Sequence, residues 1–187
     1  MDMTSISQNR SEIVTIGLFG AISVVLGFIE NFIPLPVPGV RLGLANLGVM
    51  MMFYIGGTRA ALVVMILKIC LVPRLSGNIF FRLSLAGPSG IMAFIGMYLV
   101  FRFMSRYTSS VSMGVVGAVL HMLTQLFMID AMGYINGIFN SGIVSWFLLA
   151  AAVTGILTGV ITALTVSRIS SLLPYEKSVI GFRPPDK

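Results

Sequence analysis

The sequence predicts an all-α integral membrane protein, a bundle of six transmembrane helices in a single membrane domain that covers residues 1–187. Two observations carry this prediction: 57% of the residues are hydrophobic, and only 10% are charged. A soluble domain carries roughly 25% charged residues, so this chain lacks the polar surface that water requires. A soluble enzyme and a nucleic-acid-binding protein are therefore excluded. The apolar runs are continuous, whereas a β-barrel needs alternation.

Six apolar runs are candidates to cross a bilayer core about 30 Å thick, which takes about 20 helical residues. The predicted spans are 12–33, 42–57, 59–73, 83–101, 111–132 and 143–167, followed by a cytoplasmic tail over 168–187. The second and third runs are short, so four spans with a broken pair form the alternative. Residues 34–39 contain three prolines and cannot be helical, because each proline restricts its own φ and the residue before it.

Basic residues predict the orientation of the bundle. Eight of them flank one end of the spans and three flank the other end. The positive-inside rule places the richer end, and both termini with it, on the cytoplasmic side of a multi-pass protein of the cell membrane. The eight are Arg10, Arg59, Arg102, Arg106, Arg168, Lys177, Arg183 and Lys187, and the three are Arg41, Arg74 and Arg82.

Five ionisable residues fall in or near the outer half of the predicted bundle, where burying a charge is costly. They are Glu30, Arg41, Lys68, Arg74 and Arg82. Four cations beside one carboxylate predict an anion-binding vestibule, and phosphate, diphosphate or carboxylate would suit the arginine forks. The alternative is that the long side chains reach up to the lipid headgroups.

Polar residues also lie within the fifth span. His121 and Gln125 are four positions apart and share a helix face, with Thr124 beside them and Asp130 about two and a half turns beyond. This row either lines a cavity, relays a proton or forms hydrogen bonds between helices. Asn46, in the second span, admits the same alternatives.

Small residues recur every four positions in three spans, a spacing that lets helix backbones approach closely. They either pack the bundle internally or dock a membrane partner. The repeats are Gly17 and Ala21 in the first span, Gly114 and Ala118 in the fifth, and Ala151, Gly155, Gly159 and Ala163 in the sixth.

Motifs for catalysis are missing from the sequence. There is no phosphate-binding loop for ATP, and the three aspartates are too far apart to hold Mg²⁺ on a diphosphate. One cysteine, Cys70, and one histidine, His121, leave no thiolate cluster and no haem held by two histidines. We therefore expect no catalytic residue, no metal site, no cofactor and no enzymatic activity.

Two blocks of sequence resemble a known family. Residues 25–30 read Val-Leu-Gly-Phe-Ile-Glu, and residues 33–46 read Ile-Pro-Leu-Pro-Val-Pro-Gly-Val-Arg-Leu-Gly-Leu-Ala-Asn. They resemble the hallmark of the Gx transporter family, also named heptaprenyl diphosphate synthase component I. Residues 83–87 and 117–119, followed by His121 and Gln125, fit as well, so that the likeness runs from about residue 17 to 163.

That family is similar to the S components of energy-coupling factor (ECF) transporters. The resemblance implies six helices with both termini inside, a ligand beneath the loop that joins the first two helices, and ATP hydrolysis in partner subunits. Residues 34–41 would then be a lid, and Gly17 and Ala21 would dock an ECF transmembrane subunit that is linked to the ATPases.

The leading hypothesis is an S-component-like protein that binds a small anionic molecule from outside the cell for uptake, with a vitamin-, flavin- or isoprenoid-related ligand. Its predicted ligand-binding residues are Glu30, Arg41 and Asn46 at the opening, and Lys68, His121 and Gln125 at the inner wall. The alternative is a non-catalytic membrane subunit that anchors a polyprenyl diphosphate synthase or a flavin- and quinone-dependent electron-export assembly.

Overall fold

The structure is a computed structural model that describes residues 3–103, 109–140 and 142–172. This part of the chain contains six α-helices, two short 3₁₀ helices (Glu30–Phe32 and Ile138–Asn140) and no β-strand, which confirms the all-α prediction. The helices are α1 Met3–Ile29, α2 Asn46–Ile55, α3 Gly57–Leu75, α4 Ile79–Phe103, α5 Ser110–Ala131 and α6 Ile143–Leu172.

Four segments are long and apolar enough to cross a membrane: Ser11–Phe32, Ile79–Phe103, Ser110–Ala131 and Ile143–Ile169. A multi-pass membrane protein is therefore confirmed, whereas the count of six crossings and the inward position of both termini stay predictions. The two runs predicted to be short are α2 and α3. Ten residues of α2 rise about 15 Å, half of a bilayer core. In α3, 19 residues include three cations, Arg59, Lys68 and Arg74.

Several predicted boundaries differ from the observed ones. The second span was expected from residue 42, but α2 begins at Asn46 because Gly43 adopts a φ of +93° that a helix does not tolerate. The final helix continues to Leu172, so the first residues of the predicted tail are helical. The rest of the tail, from residue 173, lies outside the described residues, and so do Arg106, Lys177, Arg183 and Lys187.

Helix α2 lies in the centre of the bundle. Nine of its ten residues are buried, and it packs against α1, α3, α5 and α6. The flexible side chains of Met50, Met51 and Met52 fill the space between the surrounding helices. The central position of α2 places its N-terminus, and the residues around it, inside the molecule.

Glycines bring α5 and α6 into backbone contact. A side chain on Gly114 would meet the backbone of Gly155 and Gly159, and one on Gly159 would meet the backbone of Val111 and Ser110. Internal packing, one of the two uses predicted for the small-residue repeats, is confirmed at these positions. Ala163, the last member of the α6 repeat, is exposed.

The α1–α2 loop (residues 33–45) folds into the end of the bundle. Val37 and Val40 are buried against side chains of α4, α5 and α6, and the Thr154 hydroxyl donates a hydrogen bond to the Leu42 carbonyl (3.2 Å). Irregular backbone is tolerated at membrane depth only where protein covers it or where it lines a cavity. This loop meets that condition and carries Arg41 into the molecule.

Candidate anion-binding site

A cavity lies between the end of α1, the α1–α2 loop, and helices α3, α4 and α5. Its volume is about 20 Å³, which is room for a water molecule. Its apolar lining includes Val72, Leu85 and Ile69. The polar side chains that line it are Glu30, Arg41, Lys68, Arg82, His121 and Gln125.

The structure brings together the six residues that were predicted to bind a ligand. Five of them line the cavity, and the sixth, Asn46, accepts a hydrogen bond from Lys68 beside it. All six are buried. Their proximity follows from the fold, while their role in binding stays a prediction.

Glu30 is 2% exposed and bonds to backbone rather than to a cation. Its Oε1 accepts the N–H of Leu44 at 2.5 Å, two residues before α2 begins. A carboxylate near a helix N-terminus is favoured by the unpaired amides and by the helix dipole. The charges of Lys68 and Arg41 also act on Glu30. Glu30 therefore fixes the entry into α2 and partly balances two buried cations.

Lys68 projects from α3 towards the first turn of α2. Its Nζ donates a hydrogen bond to Asn46 Oδ1, and both side chains are buried. The Nδ2 atom of Asn46 is buried without a hydrogen-bond partner. The pair therefore retains spare donors, from an ammonium that lines the cavity and from an amide beside it.

Gln125 holds the backbone of Arg41. The Arg41 N–H donates to Gln125 Oε1 (2.8 Å), and Gln125 Nε2 donates to the Arg41 carbonyl (3.2 Å). The amide thus supplies one donor and one acceptor to a loop residue that has no helical partner. Its observed partners are backbone groups, which makes Gln125 a positioning residue.

The guanidinium of Arg41 meets that of Arg82 at Asn31. Arg41 Nη2 donates to Asn31 Oδ1 (3.2 Å) and to Ser76 Oγ (3.3 Å), and Arg82 Nη1 donates to the same Asn31 oxygen. Burial lowers the pKa of Arg41 to about 10, Glu30 opposes this decrease, and the charge of Arg82 adds to it. That pKa is far above neutral pH, so Arg41 keeps its charge.

The polar row on α5 does not act as one group. His121 is buried and lines the cavity, and its Nδ1 has no hydrogen-bond partner. Asp130 instead accepts the N–H of Ile138, and Thr124 bonds to the Leu120 carbonyl of its own helix. The last two therefore support local structure.

A model of the heptaprenyl diphosphate synthase component I family matches residues 19–165, well over half of the chain. The chain belongs to this family. A search of curated proteins finds no match, and a search of solved structures finds none either. The family resemblance inferred from residues 25–46 is thereby confirmed.

The cavity of this component I protein lies entirely within the matched residues. Gly17, one of the two predicted docking residues, lies just outside them. Gly17 and Ala21 are both exposed on α1, and a side chain added at Gly17 would meet nothing within 4 Å. The surface is therefore open, and docking there stays a prediction.

Sequence reasoning missed Asn31 and Ser76, which bring the two arginines together. Asn31 Nδ2 donates to Ser76 Oγ (2.8 Å), although 45 residues separate them in the sequence. The sequence offered a single indication that Asn31 belongs to the site, namely its position directly after Glu30. Arg74, which was grouped with these cations, is exposed and does not line the cavity.

Within residues 3–103, 109–140 and 142–172, no group of three or more His, Cys, Asp or Glu side chains lies close enough to hold a metal ion.

Proposed function

We propose that this component I protein captures a small anionic molecule at the outer end of its helix bundle, for uptake with a partner module that supplies energy. One observation carries the proposal: Arg41, Lys68 and Arg82 surround the same cavity as a single carboxylate, Glu30. Buried or half-buried cations that outnumber their counter-ions are costly in a membrane protein, and an anionic ligand would offset that cost.

Capture requires the cavity to open. Its present volume of about 20 Å³ admits water and no organic anion. The α1–α2 loop covers the cavity and contains Gly39 and Gly43, both at positive φ. In this proposal the loop is the lid, and the structure has it closed over the cavity.

The partner module would be of the energy-coupling factor kind, with a transmembrane subunit and ATPases. Gly17 and Ala21 give α1 a smooth exposed strip where another helix can approach closely. The membrane in this proposal is the cytoplasmic membrane. The cavity end faces outwards, and the end that carries Arg59, Arg102 and Arg168 faces the cytoplasm.

Native mass spectrometry of the full chain, purified gently from its own membrane, tests capture. We expect a bound small anion in the wild type and loss of that anion in Arg41→Ala, because the guanidinium that faces the cavity is gone. Arg74→Ala is the matched control, since it removes an exposed arginine of the same end. Equal ligand occupancy in the two variants would show that Arg41 does not bind the ligand.

The same preparation tests docking. We expect a transmembrane subunit and ATPases to accompany the wild type, and Gly17→Leu to lose them while it keeps the ligand. Retention of the partners in Gly17→Leu would place their docking surface elsewhere.

The family name implies a partner synthase, and so a second candidate is a non-catalytic membrane subunit that associates with a prenyl diphosphate synthase. Such a subunit needs a partner enzyme and no captured ligand. Co-purification of a prenyl synthase, with lipid alone bound to the chain, would favour this candidate over capture.

A further inference from the structure

Two guanidinium groups share one neutral acceptor at the edge of the cavity. Arg41 Nη2 and Arg82 Nη1 both donate to Asn31 Oδ1, and Arg41 also donates to Ser76 Oγ. Neither arginine forms a hydrogen bond with a carboxylate among the residues that the structure describes. An amide and a hydroxyl carry only partial charges, so the two positive charges are held together without a counter-ion in contact.

We propose that Arg41 and Arg82 form a subsite for the dianion of a phosphate monoester, whose oxygens replace Asn31 Oδ1 between the two guanidinium groups. The proposal rests on the proposed function and names the chemical class of its ligand. It assigns Arg82, which the sequence placed in the anion-binding vestibule, to direct contact with the ligand.

Charge favours phosphate over carboxylate. Among the residues that the structure describes, three cations and one carboxylate, Glu30, line the cavity, so the excess is two positive charges. A phosphate monoester carries about −1.5 to −2 at neutral pH and matches that excess. A carboxylate carries a single charge and would leave one cation uncompensated.

The number of donors favours the same ligand. Arg41 is 9% exposed, and its Nε is buried without a hydrogen-bond partner. Two guanidinium groups carry more N–H donors than the two oxygens of a carboxylate can accept. A phosphate group has three terminal oxygens and binds arginine forks in a bidentate manner.

The apolar lining of the cavity indicates what the phosphate is attached to. Val72, Leu85 and Ile69 line the same cavity as Arg41 and Arg82. An apolar body would therefore pack against these side chains while its phosphate lies between the guanidinium groups. Soluble phosphate monoesters and the headgroup of a lipid monoester both have this chemistry.

Binding of phenyl phosphate and benzoate to the full chain in an uncharged detergent tests the subsite, because the two probes share an apolar ring and differ in charge. We expect phenyl phosphate to bind at least about tenfold more tightly than benzoate. Arg82→Gln and Arg41→Gln should each weaken phenyl phosphate about tenfold or more, since each removes a charged fork. Arg74→Gln removes an exposed cation of the same end and should leave the affinity within about twofold.

Folding does not limit the test. Arg82 lies half-exposed in the first turn of α4, so we expect Arg82→Gln to leave the core intact. If Arg41→Gln does not fold, Arg82→Gln alone is sufficient for the test. Arg41→Lys keeps the charge and removes the fork, and we expect it to weaken phenyl phosphate as well. Equal binding of the two probes, or equal affinities of Arg82→Gln and Arg74→Gln, would overturn the subsite.

The outcomes separate this inference from capture itself. A wild type that binds benzoate as well as phenyl phosphate, with both lost in Lys68→Met, would overturn the phosphate subsite and leave anion capture standing. If neither probe binds and native mass spectrometry finds no small molecule, both proposals fail.

Nanodiscs distinguish the two sources of phosphate. Phosphatidic acid, a monoester, should compete with phenyl phosphate if the ligand is a lipid headgroup, and it should fail to compete if the ligand is soluble; either result keeps the subsite. Phosphatidylglycerol is a diester with a single charge. If it competes as strongly as phosphatidic acid, the preference for a dianion is wrong.

Discussion

Gln125 shows how one side chain prepares a loop for function inside a membrane. Its amide forms two hydrogen bonds with the backbone of Arg41, which lies in an irregular segment without helical partners. Backbone polar groups that are buried away from water must be satisfied within the protein. Gln125 meets this need and at the same time sets where the Arg41 side chain begins.

Gln125→Ala should lower the free energy of unfolding by about 2 kcal/mol, because it leaves the N–H and the carbonyl of Arg41 buried without partners. Thermal unfolding in detergent measures the change. Thr124→Ala is the neighbouring control, since the Thr124 hydroxyl bonds only to the carbonyl of Leu120 in its own helix. Equal losses in the two variants would contradict a positioning role for Gln125.

Glu30 and Lys68 should be energetically coupled, although each bonds to a different neutral group. Lys68→Met removes a buried cation that acts on Glu30, so this variant should be destabilised, and adding Glu30→Gln should recover part of the loss. We expect a coupling energy of at least about 1 kcal/mol in a double-mutant cycle of thermal unfolding. Strictly additive losses would show that the two charges do not interact.

At the scale of elements, the contact between α5 and α6 depends on the absence of side chains. Gly155→Leu would drive its side chain into the backbone of Gly114 and Val115 and force the two helices apart. We expect a loss of at least about 2 kcal/mol in the free energy of unfolding. Gly87→Ala is the control, because Gly87 lies within α4 with nothing within 4 Å of an added Cβ. It should be neutral or slightly stabilising, and similar losses in both variants would contradict close packing as the cause.

The sequence predicted best the elements whose structure is determined by residues within them or next to them, which is a local cause. Four long apolar runs became helices of membrane-spanning length, and the prolines of residues 34–39 ended the first of them. The central position of α2 has no local cause. Its run is apolar on every side, which fits a lipid-exposed helix and a core helix equally well. Only the packing of α1, α3, α5 and α6 around α2 determines that it is a core helix.

The same distinction explains the site. Glu30, Lys68 and His121 were predicted because a charged or polar residue in an apolar run needs a reason to be there. Asn31 and Ser76 follow the ends of helical segments, where polar residues are ordinary, so nothing local marks them. Their importance arises from a contact across 45 residues of sequence, which the turn after α3 creates.

At the scale of the whole molecule, charge is distributed unequally between the two ends. Arg41, Lys68 and Arg82 are drawn inwards around the cavity at one end. Arg59 is exposed at the start of α3 and Arg102 lies in the last turn of α4, both at the opposite end. The cations at the second end can hold the chain in its orientation, whereas Arg41, Lys68 and Arg82 lie around the cavity within the protein.

Cysteine labelling in intact cells tests the orientation that follows. In a Cys70→Ser background, which removes the exposed native thiol, we expect Arg74→Cys to react with a membrane-impermeant maleimide, since Arg74 is exposed at the cavity end. Arg59→Cys, exposed at the opposite end, should react only after the cells are permeabilised. The sign of this prediction follows from the positive-inside rule together with the predicted crossing of α3. The reverse pattern would turn the cavity towards the cytoplasm, and the chain would then have to take its ligand from inside the cell.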